Sequence, residues 1–195
     1  MKGNPGSIDV AKRLYHLFTA VVLANATLGR AADTTAPAAK PGDPAPKTDR
    51  VGFPTAYREK FQILRTKIEK DKQKVVTVFG NTAAASVTNL AQLPYPYGSV
   101  LVMETSSAAR DNGGNLTLDD QGAMRPGVVS GLHVMRREKD FGKAYEAKRS
   151  GEWEYVEYKS DGSYITPPER SAACSACHIK AGEKKDLVYH GRFGE

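Results

Sequence analysis

Short segments of β-branched and aromatic residues, separated by polar turns, constrain the fold of this chain more than any other feature. Five such segments occupy residues 63–70, 74–80, 99–105, 128–138 and 152–165. The first two are joined by the polar sequence DKQK, which is typical of a β-hairpin. We therefore expect an antiparallel sheet of about five strands, followed by a last extended piece over residues 186–193.

Only short helices are predicted beside this sheet. Residues 53–62 carry Pro54 near a helix start, and residues 81–92 begin with Asn81 as a helix cap. A C-terminal helix should follow Pro168 and carry the two cysteines of the chain. The expected fold class is α+β, mainly antiparallel β-sheet, with the short helices on one side of the sheet.

The N-terminal residues 1–32 have the pattern of a signal peptide. Basic Lys12 and Arg13 precede the apolar residues 14–24, and small residues follow. The apolar run is shorter than the roughly 20 residues of a membrane span, so we expect no stable span. An uncleaved anchor or a buried first helix is the alternative. Export would place the mature protein in the periplasm.

Residues 33–50 are rich in Ala, Pro and Thr and lack large apolar side chains, which predicts a flexible linker before a domain over residues 51–195. The formal net charge is +6, but the predicted signal peptide carries half of it. No basic stripe is visible in the rest, so a nucleic-acid partner is not expected. Lysines at the hairpin turn are either solvated or a docking patch for an acidic redox partner.

The sequence Cys174-Ser175-Ala176-Cys177-His178 is the C-x-x-C-H signature of covalent haem c attachment. Thiols at positions i and i+3 project from one helical turn and can add to the two vinyl groups of the porphyrin. The next residue, His178, then becomes the proximal iron ligand. The signature predicts one covalently attached haem c.

Three alternatives for the same residues stay open. A structural zinc site would need four ligands, and His133 and His190 lack zinc-finger spacing relative to the cysteines. A redox dithiol usually follows an early strand, whereas this motif lies near the C-terminus. A disulfide across two intervening residues would close a strained small loop.

Several stretches together resemble cytochrome P-460 and its relative cytochrome c-prime-beta. The matching stretches are FPTAYREKF, KVVTVFGN, LPYPYGSVLVMET, GEWEYVEYKSDGS and SAACSACHIKAGEKKDLVY, and they cover most of residues 53–193 in the order of that family. The resemblance implies a largely antiparallel β fold with a few helices, usually a homodimer. It also implies a proximal histidine and an open distal side that faces the sheet.

One departure from the family pattern bears on function. Hydroxylamine-oxidising members carry a lysine, bonded to the haem ring, in the strand that corresponds to residues 98–104. Met103 stands at that position here, so the cross-link should be absent. In the next distal strand, His133 falls where those members can carry a carboxylate, which makes it a candidate distal acid–base group.

These observations lead to three functional hypotheses. The first is a five-coordinate haem that binds nitric oxide or other small nitrogen oxides, with Met103 packing beside or capping the distal face. The second is an electron carrier in which the Met103 sulfur is the sixth ligand. The third is a haem oxidoreductase that acts on hydroxylamine or nitrogen oxides, with His133 as proton relay. Whether the protein is an enzyme is left undecided by the sequence.

Overall fold

A single antiparallel sheet, with its six strands in the order of the chain, forms the framework of the computed structural model, which describes residues 42–189 and Phe193. The strands are β1 (Gln62–Glu69), β2 (Lys74–Gly80), β3 (Val100–Ala108), β4 (Pro126–Arg137), β5 (Trp153–Tyr158) and β6 (Tyr164–Thr166). The α-helices are α1 (Tyr57–Lys60), α2 (Thr82–Ala85) and α3 (Ala172–Ile179). Short 3-10 turns occupy Lys70–Lys72, Leu90–Gln92, Lys143–Lys148, Pro168–Arg170 and Glu183–Lys185.

The α+β prediction and the β1–β2 hairpin are confirmed. The sheet has six strands where about five were expected, because residues 152–165 form two strands around a tight turn. In that turn the Asp161 carboxylate accepts a hydrogen bond from the Ser163 backbone N–H at 2.9 Å.

The helix predicted over residues 81–92 is much shorter than expected. Asn81 caps it as predicted, with its side-chain oxygen accepting from the Ala84 N–H at 3.0 Å. The helix ends at Ala85, since Asn89 caps a separate 3-10 turn and exchanges hydrogen bonds with Gln92 in a capping box. Asn and Gln side chains compete with the helical backbone for these bonds.

Helices pack on both faces of the sheet, which corrects the expectation that they lie on one side. On the side of α2 and α3, residues of the sheet and of the segments that cover it form one buried cluster. Its members are Ala84, Val87, Tyr95, Leu101, Met135, Tyr145, Trp153, Tyr155, Ala172 and Val188. The opposite face, toward α1, is built by Val51, Tyr57, Phe79, Val102, Leu132, Val134, Val156 and Tyr158. Successive side chains of a strand point to opposite faces of the sheet. Strands β3, β4 and β5 carry apolar residues at both odd and even positions, so both faces of the sheet are buried.

The end of the predicted flexible linker is packed against the sheet. Asp49 accepts a hydrogen bond from the Tyr158 hydroxyl at 2.6 Å. Arg50 forms an ion pair with Glu154, whose side chain is only 2% exposed. Two charged side chains, Asp49 and Arg50, therefore attach the end of the segment to the domain. The absence of large apolar residues gave no sign of these contacts.

The predicted signal peptide and the linker up to residue 41 lie outside the described residues. Over residues 42–189 and at Phe193, no helix is both long enough and apolar enough to cross a bilayer.

A buried carboxylate locks the α1 face of the sheet. Glu104 is 2% exposed and accepts hydrogen bonds from the Tyr57 hydroxyl and, at 2.8 Å, from Arg58 Nε. Burial and the bond to Glu104 raise the pKa of Tyr57 to about 12, which keeps its hydroxyl a donor. A buried charge needs such partners, because leaving it unpaired is costly.

We predict that Tyr57→Phe lowers the free energy of unfolding of the haem-loaded protein by about 2 kcal/mol, as expected for loss of a hydrogen bond to a charged group. Tyr97→Phe is the matched control. It removes the same type of bond, 2.6 Å to Glu152, at an exposed site. Denaturant titration should show a much smaller effect for Tyr97→Phe; equal effects would contradict the role given to burial at Glu104.

Candidate functional site

Helix α3 carries both cysteines on one turn. Cys174 and Cys177 are three residues apart, half-buried and free. Ala172 and Ser175 are fully buried and form the side of the helix that packs against the protein. Residues three apart are neighbours on a helix surface, so the two thiols share a second side of α3.

A chain of buried hydroxyl groups holds α3 in place. Ser175 Oγ donates to the Lys148 carbonyl at 2.6 Å, and Ser150 Oγ lies 2.8 Å from Ser175 Oγ and 2.7 Å from the Tyr155 hydroxyl. Because the Ser175 hydroxyl donates its one proton to the Lys148 carbonyl, it must accept a hydrogen bond from Ser150. The Ser150 hydroxyl in turn accepts from the Tyr155 hydroxyl. We call these residues, together with the pair described next, the hydroxyl network.

The second part of the hydroxyl network fixes the start of α3. Ser171 Oγ donates to the Pro168 carbonyl at 2.6 Å and lies 2.8 Å from the Tyr145 hydroxyl. The Tyr145 oxygen also accepts the Tyr155 backbone N–H at 3.3 Å. Burial raises the pKa of both tyrosines, so both hydroxyls keep the protons that the network needs.

His178 presents one ring nitrogen and uses the other internally. Its Nδ1 lies 2.8 Å from the Leu187 carbonyl. A carbonyl only accepts, so Nδ1 carries the proton and Nε2 keeps its lone pair. Burial lowers the pKa of His178, which favours this neutral form. The ring packs against Tyr155, with centroids 4.6 Å apart, and against Tyr189 at 5.5 Å.

The backbone turn that delivers the Leu187 carbonyl replaces the start of the extended piece predicted over residues 186–193. Asp186 and Leu187 both have left-handed backbone angles, with φ of 49° and 61°. The Trp153 indole N–H donates to the Asp186 carbonyl at 3.1 Å, and the Asp186 carboxylate accepts the Tyr95 N–H at 3.0 Å. These tertiary bonds outweigh the extended preference of the local sequence; residues 190–192 lie outside the described residues.

The two cysteines differ in their surroundings. Burial raises the pKa of the Cys174 thiol to about 12, and the nearby Glu157 carboxylate adds to this effect. Cys177 lies at the surface side, where the Tyr189 hydroxyl contacts its sulfur at 3.8 Å and donates to its carbonyl at 2.9 Å. Burial therefore keeps the Cys174 sulfur a protonated thiol, unlike the thiolate that a reactive dithiol pair requires.

Met103 and His133 lie opposite one another in the sheet, and the register continues to Glu157 and Thr166. We call these four residues, one from each of β3 to β6, the cross-strand row. Its members share the face of Leu101, Met135 and Tyr155, on which α3 packs. Met103 is 37% exposed and the His133 side chain 45%, so this end of the face is uncovered.

Hydrogen bonds join three members of the row. His133 Nδ1 lies 2.5 Å from Glu157 Oε1, and the Thr166 hydroxyl donates to Glu157 Oε2 at 2.5 Å. Burial raises the pKa of Glu157, but its bonds with His133 and Thr166 outweigh burial and leave that pKa below its usual value. An electrostatic interaction with His133 also contributes to lowering the pKa of His178, which indicates that the row and α3 are close.

The structure thus brings together the residues singled out in the sequence, with Cys174, Cys177 and His178 on α3 and Met103 and His133 on the sheet face beside it. Sequence reasoning missed Glu157, Thr166 and the hydroxyl network. Glu157 is two residues from Tyr155, so both side chains point to the same face of the sheet. A charged residue on that aromatic-rich face was the sequence feature that could have identified Glu157.

The donor set fits a haem group. Two thiols on one helical turn and a histidine with a free Nε2 stand beside an uncovered, partly apolar sheet face, which matches what the C-x-x-C-H signature requires. A zinc site finds no support in the described part of the chain, where no group of three or more His, Cys, Asp or Glu residues is placed to hold a metal ion.

The family comparison agrees with this geometry. The model of the family described as Cytochrome P460 matches residues 54–190, which include all six strands, α3 and every candidate site residue. No match was found among curated proteins. The family match indicates that the protein binds haem. With most of its length matched, the chain belongs to the cytochrome P460 family.

Proposed function

We propose that the protein is an exported mono-haem c-type cytochrome whose haem binds nitric oxide or another small nitrogen oxide. The observation that carries the proposal is that α3 holds Cys174, Cys177 and the free Nε2 of His178 beside the uncovered part of the sheet face. When bound, the haem would supply a redox-active iron that can bind a small ligand.

The three residues of the signature would divide the work of holding the haem. Cys174 and Cys177 would hold the haem covalently, because the sulfur and the proton of each thiol can add together across one vinyl group. His178 offers Nε2 as the iron ligand, and its Nδ1 bond to Leu187 fixes the plane and tautomer of the ring. The contact with Tyr155 restrains the same ring from the side of the sheet.

The sheet face around Met103 is proposed to leave the haem iron accessible to a small ligand. Met103 is an apolar side chain with no amine to bond to the ring, and it lies half-exposed on β3 beside His133. This arrangement supports access for a small ligand. The alternative is ligation by the Met103 sulfur, which would make the protein an electron carrier.

Location and partners are proposed from the sequence. The basic start and apolar run of residues 1–32 support export to the periplasm. A homodimer and an acidic redox partner are further proposals, the first from the resemblance and the second from the lysines of the β1–β2 turn.

Covalent attachment can be tested on denatured protein. The double variant Cys174→Ala/Cys177→Ala should lose haem on a denaturing gel stained for haem, because no thioether remains, whereas the wild type should retain it. Each single variant should retain haem with an altered pyridine haemochrome spectrum, since one vinyl group stays conjugated. Ala173→Ser, in the same helix, is the control and should match the wild type. Retention of haem by the double variant would rule out the proposed attachment.

The open position can be tested through Met103→Ala. If the iron is five-coordinate, the ferrous spectrum should be high-spin, should change at once with nitric oxide, and should be nearly unchanged by the substitution. Val78→Ala truncates the neighbour of Met103 on β2 and serves as control. A low-spin wild-type spectrum that Met103→Ala converts to high-spin would instead establish methionine ligation and electron transfer.

A further inference from the structure

A short polar contact between His133 and Glu157 lies on the uncovered sheet face. The two residues are register partners on β4 and β5, and His133 Nδ1 lies 2.5 Å from Glu157 Oε1. The histidine side chain is 45% exposed, whereas the glutamate side chain is 13% exposed. A half-exposed ring is thus attached at one nitrogen to a carboxylate that is almost withdrawn from solvent.

Glu157 is itself held from its far side. The Thr166 hydroxyl on β6 donates to its second oxygen at 2.5 Å, and Thr166 is its register partner. Both carboxylate oxygens therefore have a fixed partner, one on each neighbouring strand. A carboxylate held at both oxygens cannot rotate away from His133 without breaking one of these bonds.

The same contact decides which atom His133 offers to a ligand. An ionised carboxylate only accepts hydrogen bonds, so a neutral His133 must carry its proton on Nδ1. Its Nε2 then holds a lone pair and has no hydrogen-bond partner within the described part of the chain. Its neighbour across the strand pair, Met103, has no proton to donate. The ring thus has an unused acceptor on the face that α3 borders.

We propose that Glu157 is a positioning residue, which holds His133 as a proton acceptor for small protic ligands at the open side of the haem. This inference rests on the proposed function. A ligand H–X would pass its proton to Nε2 and bind as X⁻, and the carboxylate of Glu157 would stabilise the resulting imidazolium. A gas without a proton gains nothing from this acceptor, so the pair favours ligands with an ionisable proton.

Two probe ligands separate this inference from the proposed function. Hydrogen cyanide must lose a proton to bind the ferric protein, whereas carbon monoxide binds the ferrous protein without proton transfer. At pH 7, His133→Gln should slow cyanide association about 100-fold, the lower end for a positioned acid–base group. Glu157→Gln should slow it about tenfold, as expected for a residue that orients a functional histidine. Carbon monoxide association should stay the same in both variants.

Glu59→Gln is the matched control, since Glu59 is an exposed glutamate of α1, which packs on the opposite face of the sheet. It should leave both association rates unchanged. If the wild type binds neither probe readily, the open site of the proposed function fails. If the wild type binds both and either His133→Gln or Glu157→Gln leaves the cyanide rate unchanged, the present inference is wrong while the proposed function stands.

A second readout is independent of ligand binding rates. In the ¹⁵N-histidine-labelled ferrous carbonyl protein at about pH 9, where a free imidazole is neutral, His133 should be the Nδ1–H tautomer. Glu157→Gln should remove this exclusive preference, because a glutamine can present either its oxygen or its amide N–H to the ring. A wild-type Nε2–H tautomer, or a tautomer that does not respond to Glu157→Gln, would overturn the positioning role.

Discussion

The attachment of α3 to β5 through buried hydroxyl groups is the interaction on which the whole candidate site depends. Ser175 lies inside the cysteine signature, yet it faces the protein, where Ser150 binds it and the Tyr155 hydroxyl of β5 in turn binds Ser150. Fixing this one side of a short helix fixes the opposite sides too, since successive residues are about 100° apart around the axis. The direction of both thiols and of His178 therefore follows from where Ser175 is bound. An eight-residue helix would be marginal without such tertiary contacts.

The register of the sheet is the second constraint, and the opposite face sets it. Glu104 follows Met103 directly, and its carboxylate is buried with Tyr57 and Arg58 on the α1 side. Because neighbouring strand residues point to opposite faces, burying Glu104 there forces Met103 onto the face of α3. A slip by one residue would exchange the two and would leave a charge unpaired. The polar cluster under α1 thus specifies, from the opposite face, which side chain of β3 lies on the face of the candidate site.

Local patterns predicted what depends on local chemistry. The β1–β2 hairpin, the Asn81 cap and the helix that carries Cys174 and Cys177 could all be read from a few consecutive residues. The predictions that failed overlooked competing side-chain bonds. The helix over 81–92 ends at Ala85 because Asn89 caps a separate 3-10 turn, which is a local competition. The backbone at Asp186 is turned by bonds to Trp153 and Tyr95, which are distant in the sequence. Glu157 gained a role only when strand pairing placed it beside His133, which no spacing within one strand reveals.

The two histidines proposed to lie on the proximal and distal sides of the haem are oriented in the same way but by different acceptors. His178 donates from Nδ1 to the neutral carbonyl of Leu187, whereas His133 donates from Nδ1 to the charged carboxylate of Glu157. Both arrangements free Nε2, but only the carboxylate stabilises a protonated ring, because a full negative charge attracts an imidazolium far more strongly than a carbonyl dipole does. A neutral partner suits a ring that must keep its lone pair for iron. A charged partner suits a ring that must gain and release a proton, so the difference between the two acceptors is itself an argument for different roles on the two sides of the haem.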